Sequence, residues 1–578
     1  MRVEAFLEAC GREAVREVTG EDAPALIRRA VDRTHGDYQS NAAMALAKKL
    51  GKNPRELGEL IAAKLRSEPA FESVTVAGPG FVNLKLSAAW IAAQLTEAAA
   101  DGARLGVPTA IKRDRIVVDF SAPNIAKQMH VGHLRSTIIG DAIVRLLRFV
   151  GHDVIGDNHI GDWGTQFGLL IVGTAEWGDE AAMAADPIEE LERVYKLASK
   201  RAEEDPAFAQ RARDELSKLQ AGDAANTAQW KRFVELTRTM LDRAYATLDV
   251  KFDEWLGESA YNAMLPGVVK MLLEKGIARE DQGAVCVFWG ELEGAPANLK
   301  KQKEPFIVRK KDGAYLYSTT DIATVFHRRD HFKADRAVYV VDVRQSLHFE
   351  QLFAIMRVLG VTMELVHVGF GMMLGTDGKP LRTRDASGKT IPLVKLLDES
   401  VTRAEARMKE EALEIPEAEL AETARIVGIG AVKYADLRQN RSSDYQFDWD
   451  KLIAFKGNAG PYMQYAFARI QSMFTKAGLE MDAARGPIVL EHETEAALAR
   501  NLLAFADVVH QAAETYQPHL VPEHLFELAR SFSAFYEACP VLKSEGAQRE
   551  SRLALAALTA RQIRTGLGLL GIGVARRM

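Results

Sequence analysis

The sequence predicts an α/β protein with a parallel sheet in its middle, a small α/β region before it and an all-α region after it. Three observations carry that prediction. Strand-like apolar runs at 116–120, 153–157, 338–343 and 365–370 alternate with helical stretches, as a parallel sheet requires. An Ala/Glu/Lys/Arg-rich stretch from about 178 to 247 interrupts them as a helical insertion, and beyond residue 397 the strand signal vanishes. With 578 residues, 47% hydrophobic and 26% charged, the chain has the texture of a globular protein of about three or four domains.

Taken in order, Asn41 to Leu50 and Pro54 to Leu65 read as helices, and Val74 to Leu86 as a strand pair about the turn Gly78-Pro79-Gly80. The run from Arg115 is β-type, breaks at Pro123, and gives way to an amphipathic helix from Leu134 to Val150. Gly460-Pro461 opens a helix with Met463, Ala466, Phe467, Ile470 and Phe474 at helical spacing, and Gly478 stops it. Leu498, Leu502, Phe505 and Val509 repeat that spacing, as do Leu525, Leu528, Phe532 and Phe535, which predicts a helical bundle. The expected regions are 1–108, 109–396, a helical connection 397–455, and 456–578.

Composition excludes several classes. Three cysteines, Cys10, Cys286 and Cys539, lie far apart in sequence, so neither a disulfide framework nor a cysteine zinc site is supported. Acids among the first ten residues and the lack of a long apolar stretch argue against a signal peptide or membrane span and predict a cytoplasmic protein. A net charge of −5 argues against nucleic acid covering the whole surface, yet leaves room for local basic faces such as Arg309-Lys310-Lys311.

Most of the chemistry gathers at His130 and His133, separated by Val131-Gly132 at the start of a predicted helix. Unpaired N–H groups and the positive end of the helix dipole make that a place for phosphate, and Gly132 permits close approach. In a chain with 13 histidines such a pair is also what a helix cap looks like. The strand, Pro/Asn turn and helix around it assign it instead to a nucleotide held at the carboxyl end of a parallel strand.

The run Phe120-Ser-Ala-Pro-Asn-Ile-Ala-Lys-Gln-Met-His-Val-Gly-His133, followed by Asn158-His-Ile-Gly-Asp-Trp-Gly164, resembles the catalytic core of arginyl-tRNA synthetases, class I aminoacyl-tRNA synthetases. The likeness continues in Tyr317-Ser-Thr-Thr-Asp321, Gly371-Met-Met-Leu-Gly375, Asp436-Leu-Arg-Gln-Asn-Arg441 and Gly460-Pro-Tyr-Met-Gln-Tyr-Ala-Phe-Ala-Arg469. Asp37-Tyr-Gln-Ser-Asn41 and Gly80-Phe-Val-Asn83 are similar to that family's extra N-terminal domain, so the resemblance spans the chain. It implies a Rossmann-like catalytic domain with helical insertions, an N-terminal tRNA-binding α/β domain and a helical anticodon-binding domain.

The implied activity is a ligase that forms arginyl-adenylate from L-arginine and ATP, then passes arginine to the 3′-terminal adenosine of tRNA(Arg) for protein synthesis. Its implied ligands are L-arginine, ATP with Mg²⁺, and tRNA(Arg), with no protein-bound zinc or other metal site, no membrane, and a monomeric chain. By the same resemblance His130, His133, Lys127 and Arg384 are catalytic, while Pro123, Gly132 and Lys379 join the two histidines around ATP. Asp119, Asn124, Tyr317, Asp321 and Gln345 line the arginine pocket, and Asp321, one helical turn beyond Tyr317, is the first choice for the guanidinium. Phe81 and Asn83, on one face of a strand, meet a D-loop nucleotide at the tRNA elbow. The second class I signature departs from its usual form: Lys379-Pro-Leu-Arg-Thr-Arg384 lacks the final lysine, Arg384 lies nearest that position, and Lys127 supplies a second cation. Another class I synthetase or a nucleotidyltransferase of the same fold shares the histidines, and a non-catalytic tRNA-binding relative is the rival from a different class.

Overall fold

A computed structural model describes residues 1–578 apart from 31, 376, 380 and 382–391. The chain forms two compact units, one of Met1–Ala110, Glu411–Val427 and Ala454–Met578, the other of Ile111–Glu410 and Gly428–Ile453.

The second unit is built on a four-stranded sheet in the order Glu364–His367, Arg336–Tyr339, Arg115–Asp119, Asp153–Asp157. All three pairings are parallel, and His367, Tyr339, Asp119 and Asp157 share one rung at the carboxyl ends. Ile116, Val117 and Val118 are fully buried, as a strand covered on both faces demands. The chain adds strands first on one side of Arg115–Asp119 and later on the other, so the switch point, and with it a crevice, falls between that strand and Arg336–Tyr339. The helix Val131–Phe149 follows the first strand. It packs so close that a Cβ on Gly140 would stand 2.2 Å from the Phe120 ring.

The insertion is helical, as its composition predicts, with helices Glu180–Ala185, Pro187–Glu204, Pro206–Gln220 and Ala224–Thr247. Asp179, Asp186, Asp205 and Asp223 each accept an N–H of the turn they open, and Pro187 and Pro206 occupy first-turn positions. Such caps are worth about 1 kcal/mol each. A three-stranded antiparallel sheet, Arg279–Asp281, Ala284–Val287 and Phe306–Arg309, precedes the helix Tyr317–Asp330. Its strands are 3 or 4 residues long, too short to show periodicity in the sequence. Likewise Tyr445–Gln446 pairs with Met373–Leu374 in a stretch read as purely helical.

In the first unit a four-stranded antiparallel sheet runs Ile27–Arg29, Tyr38–Ser40, Phe81–Leu86, Phe71–Ala77. The helix Pro54–Leu65 stands as expected, capped by Asn53, and a Cβ on Gly80 (φ 136°) would lie 2.5 Å from the Pro54 carbonyl. The helix Gly460–Lys476 buries Met463, Phe467, Ile470 and Phe474. The next stripe is shared between two helices, Glu493–Leu503 and Phe505–Glu514, and Leu520–Ala538 and Gly546–Leu569 follow. The first helix, Val3–Thr19, has no side-chain cap from its own N-cap residue Arg2; Asp507 accepts from the N–H groups of Val3 and Glu4 at 3.0 and 3.2 Å. No helix is long and apolar enough among the described residues to cross a membrane.

Candidate active site

The segment from Phe120 to His130 leaves the first strand and delivers the histidines to the N-terminus of Val131–Phe149. Ser121, Ala122 and Ala126 are left-handed, at φ 75°, 46° and 60°, each costing roughly 1–2 kcal/mol for a residue with a Cβ. The buried Pro123 accepts from Gly161 N–H through its carbonyl, and the exposed Asn124 lies against Gly161, where a Cβ would meet Asn124 Oδ1 at 2.2 Å.

His130 is the N-cap residue. Its Nδ1 accepts from Gly132 N–H at 3.0 Å, while His133 Nδ1 accepts from His130 N–H at 3.3 Å. A ring nitrogen that accepts a backbone N–H carries no proton, so in each neutral imidazole the proton sits on Nε2 and is available to donate. The rings are 4.1 Å apart between centroids, and a Cβ on Gly132 would press to 2.8 Å from the His130 ring. Burial holds His133 down to about 4, helped by its neighbour His130. Burial also lowers His130, against the pull of Glu192, and the charge of Lys127 lowers it further. Both rings are therefore neutral at pH 7 and offer Nε2–H groups as donors at the helix N-terminus. The exposed Lys127, whose ammonium lies 5.7 Å over the Tyr195 ring, brings a cation to the same place.

Acids collect at the other end. Tyr317 opens the helix Tyr317–Asp330 and is exposed; Asp321, one turn on, lies 2.6 Å through Oδ2 from His348 Nε2. The His348 ring in turn meets that of Tyr317 at 4.9 Å, so the three side chains form one wall. Gln345 ends the short helix Val343–Gln345 beyond the strand Arg336–Tyr339 and exposes its side chain.

Asp119 has a partner that the sequence reading did not name. It is buried on the same rung as Asp157, and the guanidinium of the fully buried Arg328 bridges the two carboxylates at 2.7 and 2.8 Å. Its charge is thus shared with a resident cation, because two buried carboxylates side by side require one.

Sequence reasoning missed Glu258. Asp162 accepts from Ser259 N–H and Oγ–H at 2.8 and 2.6 Å and so fixes the turn that Glu258 opens. Burial raises the Glu258 carboxyl to about 7, and the charges of Asp321 and Asp162 push the same way against His159. No motif spacing signals this residue; only the turn brings it within the field of Asp321. Arg135 is a second omission, two residues past His133 on the same helix. Its Nη1 donates to the Gly371 carbonyl at 2.6 Å and its Nε lies 3.0 Å from Asp436 Oδ2, which ties the histidine helix to the strand leading toward Lys379. Lys379 is exposed in a turn closed by Gly375 N–H donating to its carbonyl at 2.7 Å; Arg384 lies outside the described residues.

Phe81 is half-buried, but Asn83 is buried, with Oδ1 accepting from Gln39 Nε2 at 2.8 Å. Its amide oxygen therefore already accepts one bond, and Gln39, paired with Asn83 across the strands, is the half-buried amide on that face. In the bundle, a cavity of about 1140 Å³ is lined by Tyr465, Arg469, Tyr536, Arg564, Arg576 and Arg577, with Arg469 lying 5.2 Å over the Tyr536 ring. Among the described residues no group of three or more His, Cys, Asp or Glu side chains could hold a metal ion.

Three family profiles match the chain: "tRNA synthetases class I (R), catalytic domain" over residues 94–449, "DALR anticodon binding domain" over 463–578, and "Arginyl tRNA synthetase N terminal domain" over 4–86. The chain is 48% identical over 568 residues to the arginine–tRNA ligase of Edwardsiella ictaluri, covering 96% of each. It is 45% identical over 584 residues to that of Photobacterium profundum, covering 100% of this chain and 98% of the other. Among solved structures it resembles the arginyl-tRNA synthetase of Plasmodium falciparum with a TM-score of 0.85 at 28% identity, covering 100% and 99%. The Thermus thermophilus arginyl-tRNA synthetase gives 0.82 at 25%, covering 100% of each.

Proposed function

Because the chain belongs to the arginyl-tRNA synthetase family, and so charges tRNA(Arg) with arginine using ATP, we propose how its site divides that work. The observation that carries the reading is the histidine pair, held neutral with both Nδ1 atoms on the backbone and both Nε2–H groups free of it, in a domain where Glu258 and Asp321 also lie within each other's field.

In the first step an arginine carboxylate oxygen attacks the α-phosphorus of ATP and pyrophosphate leaves, giving arginyl-adenylate. His130 and His133 donate from Nε2 to the phosphate oxygens as they gain charge, Gly132 lets the phosphates reach the helix N-terminus, and Pro123 closes the nucleotide's edge. Lys127, Lys379 and Arg384 supply the remaining positive charge. Mg²⁺ arrives with ATP as part of the substrate, held by the phosphates. The arginine guanidinium lies between Asp321 and Glu258, with Tyr317, Asn124 and Gln345 fixing the rest of the substrate. Asp119 acts through Arg328 as the floor of that pocket. A planar fork of five donors satisfies such a rim, whereas the single ammonium of lysine leaves buried acceptors unpaired.

In the second step a ribose hydroxyl of the 3′-terminal adenosine attacks the arginyl carbonyl of the adenylate, the acyl–phosphate bond breaks and AMP leaves. The region 1–108 meets the tRNA elbow through Phe81 and the Gln39–Asn83 amide pair, and the cavity in 456–578 takes an anticodon base between tyrosines and arginines. The region 109–396 performs the chemistry and 397–455 connects it to the bundle. The protein works as a monomer in the cytoplasm, where its substrates are.

ATP–pyrophosphate exchange across all amino acids, with and without tRNA, tests this reading. Arginine alone is expected to support exchange. Because the second signature lacks its last lysine, bound tRNA completes the phosphate site, so exchange is expected to need tRNA(Arg), including tRNA whose terminal ribose has been oxidised. Full exchange without RNA would overturn that coupling, and exchange with another amino acid would overturn the pocket.

A further inference from the structure

The three left-handed residues before the histidines are serine and alanine, not glycine, so their backbone persists only where the surroundings impose it. Each of their N–H groups has its own side-chain acceptor. Ser121 donates to Ser136 Oγ at 2.9 Å, Ala122 to Asn158 Oδ1 at 3.2 Å, and Ala126 to Thr237 Oγ1 at 3.1 Å. Ser136 and Asn158 belong to the first two strand–helix units of the sheet. Thr237 does not: it sits on Ala224–Thr247, the last helix of the insertion.

That helix returns to the loop eight residues later. Tyr245 OH lies 2.7 Å from Ser121 Oγ and accepts from Asn158 Nδ2 at 3.1 Å; Ser121 Oγ lies 2.8 Å from Thr137 Oγ1, which donates to the His133 carbonyl at 2.7 Å. An amide N–H at one end and a carbonyl at the other fix the direction of every proton between them. Asn158 donates to Tyr245, Tyr245 to Ser121, Ser121 to Thr137, and Thr137 to His133. Asn158, Tyr245, Ser121 and Thr137 are all buried, so the chain has no competing water and its members reinforce one another.

We propose that Tyr245 and Thr237 are positioning residues for arginine activation, holding Ser121, Ala122 and Ala126 left-handed so that Pro123, Asn124 and Lys127 stand where ATP and arginine meet. The proposal rests on the reading of this loop as the substrate-contacting one, and it gives the insertion a part in chemistry that none of its residues touches.

Tyr245→Phe breaks the chain at its centre without changing packing volume, and Thr237→Val removes the third acceptor while keeping shape. With tRNA(Arg), ATP and arginine saturating, each is expected to lower kcat for exchange by about 10- to 100-fold, the range a small misplacement of reacting groups produces. KM for tRNA(Arg) stays unchanged, and Thr237→Ser retains activity because it keeps the hydroxyl. Rescue separates positioning from general weakening. Glycine adopts the left-handed region unaided, so adding Ala122→Gly to Tyr245→Phe is expected to restore kcat to within about threefold of wild type. Variants with wild-type kcat, or a loss that Ala122→Gly does not recover, would overturn the proposal. Absence of arginine-dependent exchange in the wild type would overturn the underlying reading of the site instead.

Discussion

At the phosphate end of the site His130 and His133 have their Nδ1 atoms bound to backbone and their Nε2 protons in place before any ligand arrives. At the proposed amino-acid end Glu258 lies within the field of Asp321, and Glu258 holds its proton up to about 7, mainly through burial, with the charges of Asp321 and Asp162 adding to it against His159. On the proposed reading the first end is preorganised for a charge that develops only during reaction, which is where an enzyme gains rate. On the same reading the second holds a buried carboxyl protonated beside another acid, and a guanidinium supplies the counter-charge that lets it ionise, which favours selectivity over rate. One site thus uses two strategies, and substitutions should separate them.

The largest separation is expected from His133→Ala and from His130→Asn, which keeps a capping side chain but loses the Nε2 donor. Exchange should slow by about 100- to 1,000-fold in each while arginine affinity, measured by calorimetry, stays as it was. An unchanged rate would mean that the capping bonds are all these rings do. Asp321→Asn should show the converse. Arginine binding is expected to weaken by roughly 10- to 150-fold, as losing a charged hydrogen-bond acceptor implies, with ATP affinity unchanged. Equal weakening for both substrates would erase the distinction between the two ends.

Phe81→Ala serves as a control that should disturb neither end. KM for tRNA is expected to rise by about tenfold, within the range for losing one stacked base, with exchange at saturating tRNA intact. If melting temperature falls and KM does not move, Phe81 is a core residue. The smallest effect is one of pH. Glu258 is largely protonated below 7 in the free protein, and binding a guanidinium favours its ionised form. Arginine affinity should therefore rise by about tenfold per unit at most as pH climbs toward 7, then level off. Glu258→Gln should flatten that profile; a wild-type profile already flat from pH 5.5 to 8 would remove Glu258 from the pocket.

Much of the frame was legible because it rests on local signals. Pro54 and Pro461 open helices, Gly478 follows the end of one, and the predicted strand at 153–157 is the observed one. Two of the insertion's four aspartate caps, Asp186 and Asp205, are written in Asp-Pro pairs. What escaped depends on partners distant in sequence. Asn83 and Gln39 are 44 residues apart, so nothing local shows that one amide occupies the other. Arg328 lies 209 residues from Asp119, and without it Asp119 reads as an open acid. Glu258 sits on a short turn with no periodicity, and its meaning comes from the carboxylates folded against it.

Ser121 and Tyr245 are separated by 124 residues, and that interval has a meaning in time as well as in space. A ribosome that adds about 5–20 residues per second emits the histidine signature roughly 6 to 25 s before the helix that holds its loop. During that interval the segment from Ser121 to Ala126 has neither Thr237 nor Tyr245 to oppose its backbone preference, and it relaxes to the right-handed or extended forms open to serine and alanine. A nascent chain, or a fragment ended before the insertion is complete, therefore carries the nucleotide signature without the shape that uses it. The left-handed loop makes complete synthesis of the insertion a condition for the first turnover.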